Sequence, residues 1–119
     1  MKDFTDLDVW IKAKDLASSI YSVTEKFPSK ENYRLTDQIC RASISVPSNI
    51  AEGIGRNTSK EKAHFLYIAR GSAFEIETQL HIAFDLGYIS REELQKLKIE
   101  IEVVKKLING FISFLKKSN

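Results

Sequence analysis

Residues 43–56 read SISVPSNIAEGIGR, from Ser43 to Arg56, with Pro47 near the middle and Gly53 and Gly55 near the end. The segments on either side carry a helical period, so the reading of this stretch decides the fold. A phosphate-binding loop needs a strand before it and a Gly-Lys-Ser/Thr ending. Gly53-Ile54-Gly55 is followed instead by Arg56-Asn57-Thr58, and a dinucleotide fingerprint lacks its third glycine because Thr58 stands there. A plain loop of this length is unusual inside a compact helical domain, and Val46 and Ile50 continue the apolar spacing across the proline. The favoured reading is a helix that bends at Pro47. The ring removes one backbone hydrogen bond and presses on the carbonyl of Ser43, while Ser43, Ser45, Ser48 and Asn49 offer side chains to the freed groups. Gly53 or Gly55 then supplies a left-handed C-cap.

Working outward, three more helices flank this one. The first begins near Asp6 or Asp8 and ends at Phe27-Pro28, with Trp10, Ala13, Ala17, Ile20, Thr24 and Phe27 on one face. The second, which contains the opening stretch, starts after Ser29 as N-cap with Glu31 in its first turn. It carries Tyr33, Leu35, Ile39, Ala42, Val46 and Ile50 inward. The third opens on a Thr58–Glu61 capping box and stops at Gly87; the fourth opens on a Ser90–Glu93 box. Its stripe is Leu94, Leu97, Ile101, Val104, Ile108, Phe111 and Leu115, stepping by three and four. No strand pattern, internal repeat or linker interrupts the series. The expected architecture is all-α: one domain over residues 1–119, an antiparallel up-down four-helix bundle with a proline-kinked second helix.

The bulk properties agree with a small water-soluble domain. The chain has 119 residues, and 18 basic against 16 acidic side chains leave a formal charge of +2, too balanced to announce nucleic-acid binding by itself. Cys40 is the single cysteine, so no intramolecular disulfide forms. The first residues lack an apolar signal region and no apolar run reaches the roughly 20 residues of a membrane span. A cytoplasmic protein without membrane contact is expected. Tyr67, Phe74, Ile82 and Phe84 on the third helix, with Ile99, Val103, Leu107 and Phe114 on the fourth, lie off the main stripes. Helices apolar over so much of their circumference bury a second face, which points to a homo-oligomer.

Catalytic and metal chemistry find little support. A di-iron bundle needs two Glu-x-x-His motifs. Glu61-Lys62-Ala63-His64 is one, but its glutamate caps a helix, and His81 has Thr78 three residues before it. Neither a metal, a cofactor nor a catalytic set is expected. Arg41, Glu52, Arg70, Glu75 and Glu77 sit on or beside apolar faces and are expected to pair, between the second and third helices or across subunits. For nucleic acid, Arg56, Lys60 and Lys62 cluster near the turn between those helices, and Lys105, Lys106, Lys116 and Lys117 crowd the last helix.

The segments LDVWIKA, IYSVTEKFP, ENYRLTDQICRASISVPSNIAEGIGR, FLYIARGSAFEIETQL and LGYIS, in this order, together resemble the four-helix proteins of the 23S ribosomal RNA intervening-sequence family. The resemblance is carried most specifically by Arg41, by Val46 to Gly53, and by Gly71-Ser72 with Glu75 and Glu77. It implies a four-helix protomer, a ring-shaped homopentamer, and a non-catalytic binding or scaffold role associated with RNA. A protein-partner adaptor without direct nucleic-acid contact is the other role it allows.

Overall fold

The computed structural model describes residues 3–117, and among them only helices and turns occur. Helix α1 spans Asp8–Thr24, α2 Leu35–Ile54, α3 Ser59–Asp85 and α4 Arg91–Lys117, with short 3-10 turns at Phe4–Asp6 and Ser29–Glu31. Helix α1 packs against α2 and α4, and α3 packs against the same two. All four contribute to one cluster in which Leu16, Ile20, Ile39, Ile50, Leu66, Ile76, Leu80, Ile101 and Ile108 are fully buried. Each such side chain contributes roughly 1.5–3 kcal/mol on leaving water.

Helix α2 runs through Pro47 without interruption, and the proline itself is buried. Its neighbours take up polar groups locally. The Ser43 hydroxyl donates to the Cys40 carbonyl at 2.8 Å, and the Asn49 amide donates to the Ser45 carbonyl at 2.8 Å and to its hydroxyl at 2.9 Å. The expected left-handed cap is absent. Gly55, the C-cap residue, is right-handed at φ −76°, and Gly53 lies inside the helix. Gly53 is small for a different reason: a Cβ there would lie 3.0 Å from the Lys62 carbonyl oxygen and 3.1 Å from the Phe65 Cβ. The glycine lets α2 and α3 approach, and a hydroxyl contact from Ser72 to Ser45 at 2.9 Å joins the same pair further along.

The other punctuation follows sequence chemistry more closely. Gly87, at φ +79°, ends α3 in a double-bonded cap: its N–H donates to the Phe84 carbonyl and the Tyr88 N–H to that of Ala83. The Ser90–Glu93 box is reciprocal, with both backbone N–H groups satisfied. On α4, Phe111 is only half-buried and Ile112 takes the core position. A straight helix of 3.6 residues per turn drifts against a strict heptad, so the stripe slips by one residue before Leu115.

The start of the second helix departs from expectation. Ser29 does not cap it; residues 29–31 form a separate turn, and Tyr33 is 95% exposed instead of facing the core. Arg34, at the N-cap of α2, offers no side-chain cap. The buried Glu31 reaches forward instead, accepting the Leu35 N–H at 3.2 Å and the Tyr88 hydroxyl at 2.8 Å. The Tyr88 hydroxyl first, and the Leu35 N–H second, hold the Glu31 carboxyl below its ordinary value of 4.5. A carboxylate depressed in the folded state stabilises above its unfolded pKa, and that contribution is lost as pH falls from 4.5 through the depressed value. Thermal melts between pH 7 and pH 3 should therefore show a steeper acid loss for the native chain than for Glu31→Gln. Parallel curves would remove Glu31 from the acid response.

Candidate nucleic-acid interface

The start of α3 and the end of α4 meet at one end of the molecule. Thr58 fixes the beginning of α3 by accepting the Glu61 N–H, and its hydroxyl donates to the Glu61 carboxylate at 3.0 Å. The expected capping box is therefore half formed, because the Glu61 carboxylate takes the Thr58 hydroxyl and not the Thr58 N–H. From the first turn onward, Lys60, His64 and Tyr67 follow at spacings of four and three, which places them along one face. Lys116 arrives beside them from the last turn of α4. Together with Ser59, Ala63 and Leu115 these residues line a groove of about 340 Å³.

The groove is cationic and aromatic. Among the described residues no carboxylate lies within ion-pair distance of Lys60, Lys116 or Arg70. The Arg70 guanidinium donates to the Asn109 side-chain oxygen at 2.8 Å and sits 5.0 Å from the Tyr67 ring centre, with the Lys116 ammonium 5.7 Å from the same ring. His64 is exposed and meets Phe65 edge-on at 5.3 Å. Arg70, expected to pair between helices or across subunits, has no described carboxylate partner within the chain and is held by Asn109 beside this groove.

The remaining candidate cations lie elsewhere. Arg56 pairs with Glu52 at 3.3 Å and covers the Phe65 ring at 4.6 Å. Lys62 is half-buried, with its carbonyl against Gly53. Lys105 is held between Glu77 at 2.8 Å and Glu102 at 2.7 Å and lies over the Phe74 ring at 4.4 Å. Burial pulls its ammonium pKa down, but the Glu102 and Glu77 carboxylates outweigh that and hold it above the ordinary lysine value. Its charge is neutralised within the chain. Lys106 is exposed and lines a different groove with Phe74, Ile99 and Val103.

The expected ion pairs between α2 and α3 take another form. Arg41 pairs with Asp37 on its own helix, and the Glu75 carboxylate accepts from Gln79 on its own helix at 3.4 Å. Arg41, Glu52 and Glu75 are exposed in the single chain. Links between helices run from α3 to α4 through Glu77–Lys105 and Arg70–Asn109, from α1 to α4 through Ser19–Glu100 and from α2 to α3 through Ser45–Ser72, while Lys26, in the turn after α1, pairs with Glu93 on α4. Among the described residues, the buried polar side chains are Thr24, Glu31, Ser43 and Gln79. Cys40 lies half-buried with its sulfur 3.6 Å from the Thr24 hydroxyl. No three His, Cys, Asp or Glu side chains among the described residues gather as metal ligands, and no described helix is long and apolar enough to cross a membrane.

His64 and Tyr67 were not singled out from the sequence as binding residues. Their spacing after Lys60 is a legible signal only once the end of α4 is known to lie alongside.

Residues 5–110 match the family described as 23S rRNA-intervening sequence protein. No curated protein matches the chain. Among solved structures, it is similar to a protein of unknown function from the S23 ribosomal protein family of Bacteroides thetaiotaomicron VPI-5482. The TM-score is 0.81 at 24% identity, covering 87% of this chain and 97% of that one. At this identity the likeness speaks for the fold.

Proposed function

The chain belongs to the 23S rRNA-intervening sequence protein family, and from that premise we propose that it is a non-catalytic, homo-oligomeric RNA-binding module. The observation that carries the reading is the groove at the α3–α4 end, where Lys60, Lys116 and Arg70 stand without carboxylate partners around Tyr67. Cations free of internal partners release counterions when they meet phosphates, and exposed rings beside them offer stacking surfaces. The protomer in this proposal is one domain, an up-down bundle bent at Pro47. Contacts pairing residue 26 with 93, 19 with 100, 77 with 105 and 45 with 72 support that path.

The oligomer is proposed from an exposed apolar strip. Phe74, Ile99 and Val103 line one open groove, 54%, 67% and 41% exposed, and Ile82 and Phe114 are also exposed. A pentameric ring would repeat the basic groove five times and raise the apparent affinity through avidity. The test is a fluorescence-anisotropy titration with a ribosomal RNA fragment at low and physiological salt. Binding that weakens steeply with salt is expected; absence of binding at low salt would overturn the RNA reading.

A further inference from the structure

We infer that the groove between the start of α3 and the end of α4 takes an unpaired segment of RNA, with a base laid on the His64–Tyr67 side and its phosphates on Lys60 and Lys116. This rests on the RNA-binding reading and narrows it to single strands. The groove's lining holds two cations, two aromatic rings, two apolar side chains and a serine, with no carboxylate, so its charge suits a polyanion. Its volume of about 340 Å³ falls at the lower end of the roughly 300–1,000 Å³ of small-ligand pockets. That is a space for about one nucleotide unit, not for the breadth of a helix.

The rings decide between strands and duplexes. Duplex RNA offers phosphates and hydroxyls along a broad minor groove, while its bases are already stacked and unavailable to a side chain. A site that read duplex would need cations spread over a wide face. Here the free cations converge on one ring: Arg70 lies 5.0 Å and Lys116 5.7 Å from the Tyr67 centre. Tyr67 itself is 38% exposed and His64 is exposed on the adjacent turn. The planar Arg70 guanidinium, fixed by Asn109, adds a further surface on which a base stacks. Leu115, buried at the back, closes the floor with apolar surface. Ring, plane and phosphate-seeking ammonium groups together match an unstacked nucleotide.

The experiment uses the full chain and two probes of one sequence: a labelled 12-nucleotide single strand and the same strand annealed to its complement. Anisotropy titrations in low salt should show preference for the single strand. Tyr67→Ala should weaken that binding about tenfold, as loss of one stacked base does, and leave duplex binding unchanged. Tyr67→Phe, which keeps the ring, should restore it. Lys60→Gln should lower the salt slope for the single strand by about 0.7. Equal affinity for both probes, or single-strand binding indifferent to Tyr67→Ala, would overturn this inference and leave the RNA reading standing. Failure to bind either probe would overturn both.

Discussion

Replacing Gly53 by valine is expected to destabilise the fold by about 3 kcal/mol, the upper part of the range for overpacking. The reason lies in what the new side chain meets. Even a single Cβ would lie 3.0 Å from the Lys62 carbonyl oxygen and 3.1 Å from Phe65 Cβ. The first of these is backbone of α3 and cannot swing aside, so α2 and α3 must separate along their contact. Alanine is expected to cost less, because a gain of about 1 kcal/mol in helix propensity partly offsets the clash. Gly110 is the control. It lies inside α4 with nothing within 4 Å of its would-be Cβ, and Gly110→Ala should stabilise by up to about 1 kcal/mol. Urea unfolding at one fixed protein concentration reads all three, since an oligomer's apparent stability depends on concentration. A valine variant as stable as the native chain would contradict the close approach.

The second large effect concerns assembly. The native chain should run in light scattering as a multiple of its 13.6 kDa mass, five-fold under the proposed pentamer. Ile99→Asp should shift it to the monomer. Ile99 is 67% exposed beside Phe74 and Val103, so a charge there costs the isolated chain little, and exposed substitutions usually stay within about 0.5 kcal/mol. In an interface the same carboxylate would lose its water, a penalty that contacts with Phe74 and Val103 do not recover. A retained helical circular-dichroism spectrum separates loss of assembly from loss of fold. A native chain that is monomeric at micromolar concentration would contradict the proposal.

What the sequence made legible was mostly local chemistry. Ser90 and Glu93 cap α4 reciprocally and Gly87 closes α3, because these motifs involve residues at fixed short spacings. The continuation of α2 across Pro47 was legible from Val46 and Ile50, both fully buried on the two sides of the proline. Gly53 was misread for the opposite reason: its function is set by Lys62 and Phe65 on another helix, and no local pattern distinguishes a C-cap glycine from a contact glycine. Glu31 was read as a first-turn acid favouring the helix dipole. Its partner Tyr88 lies 57 residues away, and that contact decides both its burial and its capping reach. The groove was partly legible. Lys60 was singled out and Lys116 noted among the last-helix lysines, but not their common neighbour Tyr67. The pairing of Lys105 with Glu102, three residues before it, is within reach of local spacing; its second partner, Glu77 on α3, is not.

Whether RNA meets the α3–α4 groove is read by anisotropy titration of a labelled RNA single strand in low salt against the native chain, a Lys60→Glu/Lys116→Glu variant and a Lys12→Glu/Lys96→Glu variant. Both variants change the net charge equally, and all four side chains are exposed. Glutamate at position 60 also suits the first turn of α3, so the fold is not at risk there. If RNA binds in the groove, the groove variant loses at least tenfold in affinity and the other variant much less. Equal losses in the two variants would contradict it, because RNA would then respond to overall charge and not to the groove.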